Sequence, residues 1–259
     1  MRLFNASSLF DENSVTGLLK IINDPEALMD KSVETKKALL KLYNFKAYNI
    51  PDDFTVSSSI IAMNHLTDSD APLIMSFYYE QMHTVKREYP ALFVFAKENC
   101  FNGVSIPKGL NPILEQEKVV EVDRNRANGS LEAIKTAKKW FSEGEKPKHF
   151  LIFPQGTIYD INKEKAADIE KGAFWLAGLL GAPVLPAFIE QAVEGAENRL
   201  IFGEPITVPK ADRDYDVYKQ IWLDRVIGAQ NALKTLTGIP AREAALDKDH
   251  QTKKTFRNN

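Results

Sequence analysis

Short apolar runs alternate along this chain with longer stretches of mixed polarity. Strand-like runs stand at Ser59–Met63, Leu92–Ala96, Val119–Val122, Phe150–Phe153 and Pro183–Ile189, with a further one near Leu200–Phe202. Helical spacing fills the intervals at about 71–88, 130–143 and 170–180, with Gly144 and Gly181 where helix ends are expected. A long amphipathic helix is expected over 213–236. Strands separated by helices predict an α/β fold: a mixed, largely parallel sheet flanked by helices, in a single domain.

Upstream, residues 13–29 and 33–44 also carry helix-like spacing. In the second, Leu39, Leu40, Leu42 and Tyr43 share a face, while Lys36, Lys37 and Lys41 supply charge. Such a helix suits packing on the domain, and a membrane surface is the alternative. Beyond Pro240 the chain is strongly charged and reads as a frayed helix or a disordered tail.

The polar residues that follow the apolar runs bring chemistry into the picture. Ser59–Met63 ends at Asn64-His65, Leu92–Ala96 at Lys97, Val119–Val122 at Asp123-Arg124, and Phe150–Phe153 at Pro154-Gln155-Gly156-Thr157. In open α/β sheets, ligands bind at the carboxyl ends of the strands. Parallel strands would therefore gather one His, one Lys, one Arg and a Gly-bearing turn on one crevice.

Composition narrows the class. The 259 residues are 26% charged and 44% hydrophobic, with a formal net charge of -2, which suits a globular protein and gives no sign of a nucleic-acid partner. A single cysteine, Cys100, excludes an internal disulfide, suits a reducing compartment and is read as a packing residue. No secretory signal or membrane-spanning run is visible, so a cytoplasmic protein, or one peripheral on the inner face of the membrane, is expected. His83, His149 and His250 have no metal-ligand spacing, no metal is expected, and no Gly-x-Ser-x-Gly is present.

The sharpest motif is Asn64-His65-Leu66-Thr67-Asp68-Ser69-Asp70. A hydroxyl becomes a good nucleophile when a base takes its proton, and imidazole titrates near neutrality. A carboxylate on the other ring nitrogen fixes the tautomer. Five residues of spacing can fold Asp70 back onto His65. Asp70 also precedes Ala71-Pro72, so a plain helix cap is the competing reading. Gly156 lets backbone N–H groups approach an anion closely. Arg124, with Arg126 nearby, offers planar donors for phosphate or an ordinary surface ion pair. Lys171-Gly172-Ala173 and Pro183–Pro186, taken alone, read as packing.

Taken in order from about Ile60 to Phe188, these residues resemble the glycerolipid acyltransferase family, which includes lysophosphatidate acyltransferases. Asn64, His65 and Asp70 match its Asn-His-x-x-x-x-Asp motif. Lys97 looks like the Lys of an intervening strand end, and Asp123-Arg124 like the end of the second motif. Phe153–Thr157 is similar to Phe-Pro-Glu-Gly-Thr. Lys171–Ala173 and Pro183–Pro186 look like the Lys-Gly-Ala helix and the Val-Pro-x-x-Pro strand. The resemblance implies an acyltransferase domain over 51–240, preceded by a helical segment over 1–50 that packs on it and followed by the charged tail 241–259.

It further implies direct transfer of a fatty acyl group from acyl-CoA or acyl-carrier protein to an acceptor hydroxyl of a lysophospholipid or related lipid. No cofactor beyond that co-substrate is expected. His65 would be the general base and Asp70 its orienting partner. Asn64, Lys97, Arg124, Pro154, Gln155, Gly156 and Thr157 would contact substrate, with the Gly156-Thr157 backbone a candidate oxyanion donor. The chain departs from the pattern in three places. Gln155 replaces a Glu, Ile158 replaces an Arg, and Lys118 stands where the second motif begins with Gly. An altered acceptor, or one whose phosphate is held by Arg124 and Lys97, is therefore expected. A non-catalytic acyl-thioester or lipid-binding relative and a thioesterase that uses water are the alternatives.

Overall fold

In a computed structural model, the described residues are 40–41, 44–67, 70–84, 92–97, 119–122, 129–143, 147–190 and 196–242. Among them, seven strands make one sheet: β1 (Phe45–Tyr48), β2 (Ser59–Met63), β3 (Leu92–Lys97), β4 (Val119–Val122), β5 (His149–Ile152), β6 (Val184–Ile189) and β7 (Asn198–Phe202). Their spatial order is β1-β7-β6-β2-β5-β3-β4. The five strands from β6 to β4 run parallel, β7 lies antiparallel to β6, and β1 runs parallel to β7. The expected mixed, largely parallel sheet is therefore present.

Among the described residues, the α-helices α1 (Asp70–Thr84), α2 (Gly129–Ser142), α3 (Gly172–Leu180) and α4 (Tyr215–Thr237) accompany it. Gly181 ends α3 in the left-handed conformation (φ 67°), its N–H donating to Ala177 O at 2.9 Å, so the expected glycine stop is in place. The helical patterns at 13–29 and over most of 33–44, Cys100, Lys118, Arg126, Gly144, His250 and nearly all of the tail lie outside the described residues. β1 had no counterpart in the hydrophobic pattern. It is a four-residue edge strand, Phe-Lys-Ala-Tyr, flanked by Asn44 and Asn49 at positive φ (41° and 52°), and Lys46 pairs with Glu197.

The strands between β6 and β5 are buried on both faces, which is why they read as continuous apolar runs rather than as alternating ones. Ile60, Ala62, Phe150, Val184 and Phe188 join the core shared with α2, α3 and α4. Ile61, Met63, Leu151, Leu185 and Ala187 join the opposite core with Leu73, Ile74, Phe77 and Met82 of α1. Trp222 of α4 is fully buried and donates its indole N–H to Ala62 O at 2.9 Å, which pins α4 against β2.

A one-residue slip would exchange the two faces of β2, and because both are apolar the hydrophobic pattern alone does not fix the register. At the amino end of the sheet it is held by side chains. Ser58 Oγ accepts from Lys148 N at 2.9 Å, and Ser59 Oγ lies 2.8 Å from His149 Nδ1. His149 Nε2 lies 3.0 Å from Phe54 O, so it carries the proton, and Nδ1 accepts from the Ser59 hydroxyl. The imidazole stacks on Phe54 (4.8 Å) and is buried, which pushes its pKa down to about 4. At the carboxyl end, Glu190 follows β6 fully buried. It takes Arg199 in a two-pronged pair (2.7 and 2.5 Å) and Arg242 at 3.2 Å. Arg199 also donates to Thr237 Oγ1 at 2.7 Å, so the cluster ties the end of α4 to the sheet.

Two outcomes follow from these buried polar groups. Glu190→Ala strands two guanidinium groups and is expected to lower unfolding free energy by about 3–5 kcal/mol in denaturant titration. A change under about 1 kcal/mol would show that the cluster holds nothing. For His149, the unfolded imidazole takes up its proton near 6.5 and the folded one only near 4. Its contribution to stability is therefore complete above pH 6.5 and is lost as pH falls from there toward 4. The denaturation midpoint is expected to fall across that window in the native protein and to fall less in His149→Gln.

Candidate active site

Two adjacent parallel strands, β2 and β5, deliver the chemistry. The register that pairs Ser59 with His149 and Ala62 with Ile152 continues past the strand ends and sets His65 opposite Gln155. There the ladder is prolonged by side chains. Gln155 Oε1 accepts from His65 N at 2.7 Å, and Tyr159 N donates to His65 O at 3.0 Å. On the other side of β2, Asn64 does the same against β6: its Nδ2 donates to Ile189 O at 2.9 Å and its Oδ1 accepts from Ile189 N at 2.7 Å. Asn64 and Gln155 are both fully buried.

The imidazole of His65 leaves the sheet at this point. Its Nδ1 lies 3.0 Å from Asp70 Oδ2, and its ring stacks on Phe153 at 4.2 Å and 25°. Asp70 is fully buried at the start of α1. Its Oδ2 also accepts from Leu66 N (2.6 Å) and Thr67 N (2.9 Å), and Oδ1 accepts from Thr67 Oγ1 (2.8 Å). The carboxylate thus turns back onto the loop that carries His65. Every partner is a donor, and an ionised carboxylate only accepts, so Nδ1 holds the imidazole proton. Nε2 then carries the lone pair. The His65 side chain is 20% exposed, and Nε2 has no hydrogen bond to any described residue.

The turn after β5 is tight. Gly156 sits at φ 66°, and its N–H donates to Phe153 O at 2.8 Å. That donor is spent, so of the two expected oxyanion donors only Thr157 has no hydrogen bond among the described residues. Pro154 is buried, and its carbonyl accepts from Glu170 N at 2.8 Å, which draws the start of α3 toward the same edge. Lys97 is the last residue of β3, two strands from β2 at the carboxyl edge. Arg124 lies outside the described residues, just beyond the end of β4. No group of three or more His, Cys, Asp or Glu among the described residues could hold a metal ion.

His65 and Asp70 pair on this edge, and a model of the family described as Acyltransferase matches residues 47–190. The chain belongs to the acyltransferase family. The match covers just over half of the acyltransferase and includes β2 through β6 with the His65–Asp70 loop. Among solved structures, it is similar to the 1-acyl-sn-glycerophosphate (LPA) acyltransferase PlsC from Thermotoga maritima. That likeness has a TM-score of 0.55 and 20% identity, over 84% of this chain and 83% of that one. At that identity the likeness shows a common fold. No curated protein sequence matches the chain.

Sequence spacing exposed His65 and Asp70 but missed Thr67, Phe153 and Glu164 as members of this cluster. Thr67 and Phe153 lie within the motifs themselves and could have been weighed. Glu164 accepts from Gln155 Nε2 at 3.0 Å, and no motif marks it. The tautomer can be checked directly. In 15N NMR of the neutral imidazole, His65 is expected as the Nδ1–H form, and Asp70→Asn is expected to lose that preference. A native His65 protonated at Nε2 would contradict the geometry.

Proposed function

We propose that this acyltransferase moves a fatty acyl group from an acyl thioester, acyl-CoA or acyl-carrier protein, to a hydroxyl of a lysophospholipid or related lipid, with His65 as general base. The observation that carries the reading is the Nδ1–Asp70 bond, 3.0 Å long, together with the unengaged Nε2 of a half-buried ring. Nε2 takes the acceptor's proton. The acceptor oxygen forms a bond to the thioester carbonyl carbon, and the carbonyl π electrons move onto the carbonyl oxygen. Collapse breaks the C–S bond, and the sulfur leaves as a thiol with the proton returned by the imidazolium. Asp70 stabilises that imidazolium as it forms.

Thr157 supports the oxyanion step, since its N–H is not drawn into the Phe153–Gly156 turn. Asn64 and Gln155 act in this scheme by fixing the position of His65, because their amides are consumed within the fold. Gly156 and Pro154 shape the turn. Lys97 and Arg124 are proposed to hold the acceptor phosphate in place of the Arg that Ile158 replaces. The lipid nature of the acceptor is supported by the fold shared with PlsC. Contact with a lipid surface is proposed as peripheral, with a cytoplasmic location; among the described residues no helix is long and apolar enough to cross a membrane.

Mass spectrometry after incubation with acyl-CoA or acyl-carrier protein and a lipid extract tests the reading. The expected product is an esterified lipid whose formation requires added acceptor. His65→Ala is expected to lower the rate by roughly 10²–10⁴-fold. A loss below about tenfold would remove His65 from the role. Free fatty acid formed at the same rate without acceptor would replace transfer with hydrolysis, and binding of donor without turnover would leave a non-catalytic relative.

A further inference from the structure

The amide of Gln155 stands where the family motif has a carboxylate, and its partners show why an amide is required in this chain. Oε1 meets a donor, His65 N–H at 2.7 Å. Nε2 meets two acceptors, Tyr159 O at 2.9 Å and Glu164 Oε1 at 3.0 Å. Only one orientation satisfies all three contacts, since the reverse would aim the NH₂ at an N–H and the oxygen at two oxygens. Glu164 is itself buried, between the 3-10 turns Ile161–Lys163 and Ala166–Asp168. The neighbouring carboxylates are engaged elsewhere. Asp160 accepts from Asn162 N at 3.0 Å and faces Lys163 at 3.6 Å, and Asp70 is held by His65, Leu66 and Thr67.

We infer that Gln155 and Glu164 form one positioning unit for His65: the buried Glu164 carboxylate sets the orientation of the Gln155 amide, and the amide delivers an acceptor to the His65 backbone N–H. Gln155 is then a positioning residue and not a substrate ligand, and the acid beside it is Glu164. This rests on His65 as the base. A carboxylate at position 155 would keep the acceptor for His65 N–H but lose both donations. One of its oxygens would sit where Nε2 now lies, 3.0 Å from Glu164 Oε1, and two ionised carboxylates at that range repel each other until the pair takes up a proton. An amide at position 164 would relieve the clash, because it can turn its NH₂ toward the new acid.

The test compares native protein, Gln155→Glu, Glu164→Gln and the double variant, each checked for folding by its melting temperature. Glu164→Gln is expected to keep more of the native rate than Glu164→Ala, because an amide oxygen still accepts from Gln155. Gln155→Glu is expected to lose on the order of 10²-fold in kcat near neutral pH, since small displacements of a catalytic group suffice for that. The deficit relative to native should shrink as pH falls and the acid pair takes up a proton. The double variant is expected to regain at least about tenfold of the loss. Losses that multiply in the double variant, or a deficit independent of pH, would overturn the inference.

A second readout does not depend on turnover. The NMR titration midpoint of the His65 imidazole should move in Gln155→Glu and return in the double variant. If His65→Ala left transfer intact, the base reading would fall, while this titration would still decide the positioning unit. If Gln155→Glu does not fold, Glu164→Ala against Glu164→Gln carries the same test. The alanine variant should lose kcat with KM unchanged while the glutamine variant keeps it, and equal activities would overturn the inference.

Discussion

The end of β2 is the constraint on which this site depends. A strand that stops inside a sheet leaves its neighbours' N–H and C=O groups without partners, and a buried orphan costs about 1–3 kcal/mol. Here two side-chain amides close the gap. Asn64 takes both backbone groups of Ile189 on the β6 side, and Gln155 takes the N–H of His65 on the β5 side. His65 therefore leaves the sheet at a fixed point. Its ring is then caught between Asp70 and Phe153, and Nε2 has no hydrogen bond to any described residue. Ser58, Ser59 and His149 hold the same β2–β5 register from the far end.

The buried carboxylates divide by what they contact. Glu190, Arg199 and Arg242 are bound to one another and secure the join between β6, β7 and the end of α4. Asp70 and Glu164 are buried but face groups of the His65 loop or its support. On one sheet edge, one set of carboxylates thus joins elements of the fold and the other holds the His65 loop. Replacing either kind should be distinguishable, by unfolding in the first case and by kinetics in the second.

Much of this was legible in the sequence, and the reason is locality. His65 and Asp70 are five residues apart, so one loop closes the pair without help from the rest of the fold. The parallel strands announced themselves as apolar runs because both faces are covered. The strand read as Phe150–Phe153 begins at His149 instead, since a polar residue there is buried against Ser59 and Phe54. β1 escaped notice because four residues of mixed polarity carry little pattern, although Asn44 and Asn49 bracket it as turn residues. Asn64 and Gln155 were read as substrate contacts for a nonlocal reason. Their burial follows from the register of β2 against β5 and β6, which no short motif encodes. Arg242, read as the start of a charged tail, is anchored to Glu190 across 52 residues of sequence.

A crystal structure with a non-hydrolysable acyl thioester analogue would test the central claim most directly. The account predicts the analogue at the carboxyl edge of β2 and β5, its carbonyl carbon beside His65 Nε2 and its oxygen toward Thr157, with the His65–Asp70 bond unchanged and no covalent link to the protein. An analogue bound away from that edge, or a His65 ring swung off Asp70, would contradict it.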